Sequence, residues 1–170
     1  MSKRILNLGC GSDRRGTHRI DFVKTEATTD VCDLNGKLPY KSNFCDVVIC
    51  KSVLEHILNL KIFVSEIHRV LKPGGELFLR IDNAAYLPFH LLESHEHNKI
   101  IDNGRSYEHK SSEDNHYHLF VESHLRRLFR DFKDVKVTYS HGGGNIINRA
   151  LLSLLPGKLG KFHINLEARK

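Results

Sequence analysis

The sequence predicts an α/β domain built on a doubly wound, mostly parallel sheet with a final antiparallel strand. Three observations predict it. A short apolar run ends in a glycine turn at Gly9-Cys10-Gly11. A β-branched run, DVVIC at residues 46–50, is uniformly apolar after its first residue, as in strands covered on both faces. Between that run and a second one at 76–81 lies an amphipathic stretch of helical period. Strand, helix and strand make a βαβ unit, which requires parallel strands and a right-handed crossover.

Taken in order, residues 4–8 form a first buried strand and residues 19–23 a second short one with Asp21 near its end. After the 46–50 strand, Asn59 is placed to cap a helix. Leu60, Phe63, Val64, Ile67, Val70 and Leu71 follow its i, i+3, i+4, i+7 rule. Arg69 and Lys72 suit its last turn, and Pro73-Gly74-Gly75 stops it before the strand ELFLRI. Residues 84–117 are rich in His, Asn, Ser and charge, with little periodicity, and are expected to be an insertion or lid. Val121, Leu125, Leu128, Phe129 and Phe132 restore a helical face, followed by a strand at 135–139. An amphipathic helix is expected at 146–155 and a last strand at 161–168, the whole forming a single domain over residues 1–170.

At 170 residues the chain is long enough to bury a sizeable core, and 40% hydrophobic with 27% charged residues is ordinary for a globular protein. No apolar run approaches the ~20 residues of a membrane-spanning helix. The N-terminal stretch lacks the apolar region and cleavage site of a secretory signal, which points to the cytoplasm. Cys10, Cys32, Cys45 and Cys50 form no CxxC pair and read as reduced thiols rather than a disulfide or zinc site. The net charge of +6 is compatible with an anionic substrate or RNA and decides little by itself.

The chemistry begins at LNLGCGS. A strand ending in Gly9-x-Gly11 lets the backbone approach a ligand closely, at the carboxyl edge where open α/β sheets bind them. The pattern departs from the dinucleotide fingerprint, because Arg14 stands where GxGxxG needs its third glycine. Asp21, at the tip of the second strand, can accept hydrogen bonds from both hydroxyls of a ribose. In DVCDL, Asp33 followed by Leu34 can recognise an adenine amine and cover the ring. After the 46–50 strand, Lys51, Ser52 and Leu54-Glu55-His56 lie on a polar turn.

In this order, LNLGCG, the strand-end Asp21, CDLNGKLPYKSNFCDVVICKSVLEHI and EIHRVLKPGGELFLRI resemble the class I S-adenosylmethionine-dependent methyltransferases. They are most similar to the group labelled methyltransferase type 11. The resemblance covers residues 4–82 and implies a Rossmann-like fold with S-adenosyl-L-methionine as cofactor. It implies that Leu8, Gly9, Cys10 and Gly11 pass the methionine end and ribose, and that Asp21 holds the ribose hydroxyls. It places Asp33 and Leu34 at the adenine, and Lys51 and Ser52 beside the sulfonium or the acceptor. One departure is plain: only about ten residues separate Gly11 from Asp21, where most members carry a full helix. SDRRGTHR is too short for one, so the first helix is expected to be shortened or missing and the pocket more open. Arg14 and Arg15 then lie within reach of a cofactor carboxylate or an acidic substrate, or stand solvated.

The cofactor carries the electrophile, so the protein has only to align a nucleophile, exclude water and, for a protonated acceptor, supply a base. No Asn/Asp-Pro-Pro-Tyr/Phe segment and no Pro-Cys pair follows the 46–50 strand, against base-amine and cytosine-C5 methylation. His90, His95, His97, His109, His116 and His118 crowd the insertion. A solvated lid accounts for them, with metal ligation as the alternative, and no metal is assigned. His118, ahead of the recovered helix, is the candidate base, matching loosely a family habit. The apolar side of 145–155 reads as core, with a lipid-like acceptor or a dimer contact as alternatives; the chain is expected to be a monomer or homodimer. The leading function is methyl transfer to a small molecule. Alternatives are an RNA or protein methyltransferase, favoured only by the charge and by Arg126, Arg127 and Arg130, or a non-catalytic domain that kept the fold. A nicotinamide dehydrogenase fits least, given Arg14.

Overall fold

In the computed structural model, residues 2–88, 116–142, 152–155 and 158–170 are described. The chain enters through β1 (Ile5–Leu8), whose apolar residues run directly into the glycine turn. β2 (His18–Asp21), β3 (Asp30–Val31) and β4 (Cys45–Lys51) follow. Then come a 3-10 turn at Leu54–His56, α1 (Leu60–Val70) and β5 (Leu71–Asp82). α2 (Glu122–Leu128), β6 (Lys133–Ser140) and β7 (His163–Arg169) complete the described elements. The strands form one sheet in the order β3-β2-β1-β4-β5-β7-β6. β1 pairs parallel with β2 and β4, β2 with β3, and β4 with β5, whereas β7 runs antiparallel to both β5 and β6. The expected sheet with its antiparallel closing strand is therefore present.

The parallel register sorts side chains onto two faces, because alternate residues point to opposite sides. Leu6 and Leu8 stand beside Val48 and Cys50, which stand beside Leu77 and Leu79, and all six are buried. α1 covers this face with Phe63, Ile67 and Val70, and Leu125 of α2 and Phe129 just beyond it join the same cluster. The opposite face presents Asn7, Ile49, Lys51, Phe78 and Arg80. Phe78 is 40% exposed there, a large apolar side chain that no described helix covers.

Asn59 caps α1 as its residue type predicts: its side-chain oxygen accepts the Ile62 N–H at 3.1 Å. Within α1, Glu66 is buried yet satisfied. It accepts the Leu38 N–H at 2.8 Å and two bonds from the Arg69 guanidinium at 2.6 Å each. Arg69 in turn donates to the Tyr40 and Leu38 carbonyls, so this pair fastens the β3–β4 connection to the helix.

Three expectations change in detail. Residues 9–17 contain turns and no helix, so the first helix is missing rather than merely shortened. The Asp30-Val31 pair, where the sequence reading places no strand, forms an edge strand because Ile20 and Asp21 offer it a parallel ladder. β5 begins at Leu71, directly after α1, and passes through Pro73-Gly74-Gly75 with a register shift instead of starting beyond it. Gly74, at φ +74°, makes that irregularity possible. The single-domain expectation is not contradicted by this one sheet. Most of the proposed insertion, including His90, His95, His97 and His109, lies outside the described residues, as do 146–151 of the expected helix and the segment around Arg149. No described helix is long and apolar enough to cross a membrane.

Candidate functional site

The strand order reverses direction around β1: the chain proceeds outward through β2 and β3, then returns to place β4 on the other side of β1. In open α/β sheets the crevice outside the carboxyl ends at such a switch point is where ligands bind. Gly9-Cys10-Gly11 occupies that point. Gly9 has φ +63° and Gly11 φ +50°, backbone conformations that side chains disfavour. A Cβ on Gly9 would sit 2.3 Å from Cγ2 of Val53, whereas a Cβ on Gly11 would meet nothing within 4 Å. The first glycine thus permits close packing against the β4 side, and the second borders open space.

Asp21 closes this turn. Its Oδ2 accepts the Gly11 N–H at 2.7 Å and its Oδ1 the Val23 N–H at 3.2 Å. Each carboxylate oxygen has a further lone pair, so the group can still take hydroxyl donors. The hydroxyl of Thr25 donates to the Gly11 carbonyl at 2.7 Å and pairs with the hydroxyl of Thr28, tying the loop after β2 to the glycine turn. Sequence reasoning passed over these threonines; a Thr-rich loop directly after a strand-end acid was the available signal. Leu8 is fully buried, so only its backbone faces the turn. Cys10 is buried, and that burial pushes its thiol up, making it an inert wall rather than a nucleophile.

Asp33 follows Cys32, whose N–H donates to the Asp21 carbonyl at 3.0 Å. The exposed Asp33 carboxylate accepts from the Asn35 backbone N–H and side-chain amide, an Asx turn, and Leu34 packs its side chain into the core. Ser52 is exposed with φ +50°, its N–H bonded to the Arg80 carbonyl at 2.9 Å. Lys51 lies on the uncovered sheet face, in a cleft shared with Arg15 and Arg80. Hydrogen bonds therefore join Gly11 and Asp21 directly, place Asp33 one residue beyond Asp21's partner, and leave Lys51 in a different environment. Arg14 pairs with Glu26 at the surface, and Arg15 with Asp13.

The Leu54–His56 turn carries a second cluster. Segment 116–118 lies along it: the Tyr117 N–H donates to the Glu55 carbonyl at 2.7 Å, and the rings of His56 and His116 meet edge to face at 4.7 Å. Ligand atoms of Glu55, His56 and His116 all lie within 4.8 Å of one another, a donor set compatible with a divalent ion. His118 Nε2 is 3.0 Å from the Ile57 carbonyl oxygen. A carbonyl only accepts, so Nε2 carries the proton and Nδ1 is left as the basic nitrogen.

Comparison with known proteins agrees with this geometry. Residues 12–79 match a family described as a methyltransferase domain. Among solved structures, a methyltransferase from Thermotoga maritima described as a possible histamine N-methyltransferase superposes with a TM-score of 0.68 at 18% identity. That match covers 100% of this chain and 83% of that one. Phosphoethanolamine N-methyltransferase 2 of Haemonchus contortus, in complex with S-adenosyl-L-methionine, gives 0.63 at 15% identity over 100% of this chain and 49% of that one. At these identities the likeness is one of fold. Among curated relatives, the mitochondrial ubiquinone biosynthesis O-methyltransferase of Rattus norvegicus is 38% identical over 59 residues, covering 35% of this chain and 17% of that protein. The ubiquinone biosynthesis O-methyltransferase of Hahella chejuensis is 30% identical over 104 residues, covering 48% of this chain and 44% of that protein. The chain thus spans less than half the length of the curated relatives it matches.

Proposed function

We propose that this chain is a class I S-adenosylmethionine-dependent methyltransferase that binds S-adenosyl-L-methionine at the Gly9–Asp21 turn and transfers its methyl group to a small-molecule acceptor. The observation that carries the reading is the bonded pair Gly11–Asp21 at the switch point, with open space where a Gly11 side chain would stand. The residues fit the group: Asp21 keeps lone pairs for two ribose hydroxyls, and Gly9 and Gly11 leave room for the methionine end. Asp33 offers an adenine amine its Oδ2, since both bonds of its Asx turn go to Oδ1. When bound, the cofactor supplies a methyl group made electrophilic by a sulfonium.

This chain's own part is to position and to move a proton. An oxygen acceptor, as the curated relatives' names favour, loses its proton as the new bond forms. His118 is held by the Ile57 carbonyl in the tautomer whose Nδ1 accepts that proton. The experiment is a calorimetric titration with S-adenosylmethionine and S-adenosylhomocysteine, with NAD as control and Asp21→Ala as the variant. Micromolar binding of the adenosyl ligands that the variant loses supports the reading. Absence of binding, or binding unchanged in the variant, overturns it.

A further inference from the structure

The sheet face that no described helix covers is not inert. A cleft of about 390 Å³ opens on it between β4, β5, β7 and β6. Its floor is apolar, formed by Ile49 and by Phe78, which is 40% exposed. Register places Lys51 directly beside Arg80, Arg80 beside Asn165, and Asn165 beside Thr138, so a polar row crosses four strands above that floor. Arg15 reaches the same cleft from the loop that replaces the first helix.

The charges there do not cancel. Arg15 is held by Asp13, and Glu167 stands beside Phe78 on β7. Arg80 forms no ion pair among the described residues, and its Nε is buried without a hydrogen-bond partner. A buried guanidinium donor left unsatisfied costs free energy until an acceptor reaches it. Lys51 is pushed down by burial and then by the charges of Arg15 and Arg80, a shift that Asp13 opposes only in part. Such a field repels a sulfonium and attracts an acid.

We propose that this cleft binds an apolar, aromatic-bodied small molecule through its carboxylate or phosphate group, with the acid on Arg80 and Lys51 and the ring on Phe78 and Ile49. Lys51 ends β4 at the same carboxyl edge of the sheet as the candidate cofactor turn after β1, which makes this ligand a candidate for the acceptor. Its identification as the methyl acceptor rests on the methyl-transfer reading above; the anion site does not.

The test is calorimetric titration of the full chain with 1-naphthoate, 1-naphthyl phosphate and neutral 1-naphthalenemethanol, alone and with saturating S-adenosylhomocysteine. At least one anion is expected to bind about tenfold or more tightly than the alcohol, the worth of a charge-assisted bond pair. Naphthoate and phosphate arms separate the two acid classes. Arg80→Gln is expected to abolish that preference without changing the affinity for S-adenosylhomocysteine, and Phe78→Ser to weaken all three probes. Circular dichroism checks that both variants fold, and each is read independently of the other. The inference is overturned if the alcohol binds as tightly as the anions, if Arg80→Gln retains the preference, or if S-adenosylhomocysteine displaces the probe. Arg80-dependent anion binding by a chain that ignores S-adenosylhomocysteine upholds the site and removes only its assignment to the acceptor.

Discussion

Replacing Gly9 by alanine tests whether the glycine turn exists for close approach rather than for flexibility. At φ +63° an alanine pays the left-handed penalty, about 1–2 kcal/mol, offset by roughly 0.4–1 kcal/mol of lost freedom in the unfolded chain. The larger effect is steric. The new Cβ lies 2.3 Å from Cγ2 of Val53, far inside the ~3.5–4.0 Å of a normal carbon contact. Val53 is 5% exposed and β-branched, so it has little freedom to rotate away, and such overpacking costs about 1–3 kcal/mol. Together these give a loss of about 2–4 kcal/mol for Gly9→Ala. Gly11→Ala has nothing within 4 Å and a similar φ, so its loss is about 1 kcal/mol or less. Urea denaturation measures both: at a slope near ~2 kcal/mol/M, Gly9→Ala lowers the midpoint by about 1–2 M and Gly11→Ala by ~0.5 M or less. Combining Gly9→Ala with Val53→Ala should recover ~1 kcal/mol or more relative to the sum of the single changes. Equal midpoints for the two glycine variants, or strict additivity with Val53→Ala, would refute the steric argument.

Three further outcomes follow from named bonds. Asn59→Ala removes the acceptor for the Ile62 N–H and should lower stability by about 1 kcal/mol, read as a fall in Tm. Glu66 is held below the usual carboxylate range chiefly by the Arg69 hydrogen bonds, and Asp30 chiefly by the Tyr40 hydroxyl. Depressed acids stabilise the fold above their unfolded pKa of about 4 and lose that contribution as pH falls through the folded values. The urea midpoint should therefore drop on acidification below about pH 4.5, less steeply in Glu66→Gln; parallel slopes would exclude Glu66 as a contributor. His118→Ala should abolish turnover on an identified acceptor and leave S-adenosylhomocysteine affinity unchanged; wild-type turnover would exclude it as the base.

Much of this fold was legible because its signals are local. Asn59 before a helical stripe, DVVIC, and Gly9-x-Gly11 after an apolar run each state their role within a few residues, and each sits where expected. The resemblance implied that Gly11 and Asp21 both serve the cofactor, but their direct hydrogen bond was not legible, since the residues between them fix no geometry. What was not legible depends on register. Nothing in the local sequence tells that Lys51 stands beside Arg80, because that follows only from the parallel ladder of β4 with β5. His116 meets Glu55 and His56 across sixty residues of chain, and Glu66 reaches Leu38 across a connection with no periodic signal. The strand at Asp30-Val31 escaped notice because two residues carry no alternation to read.

The missing first helix links the two sites. A parallel crossover usually needs a dozen or more residues, yet β1 returns to β2 through residues 9–17. Such a short connection must satisfy its backbone groups without helical bonds. Buried Asn7 donates to the Arg15 carbonyl at 3.2 Å, and the Thr17 hydroxyl accepts the Ile5 N–H at 3.0 Å. Arg19 donates to the Gly16 carbonyl at 2.8 Å. Asn7 belongs to the same face as its register partner Ile49, so its bond draws the loop down onto that face of the sheet. The short loop also brings Arg15 to the cleft that holds Lys51 and Arg80. The same short loop thus carries the cofactor turn at Gly9–Gly11 and sets Arg15 in the cationic cleft.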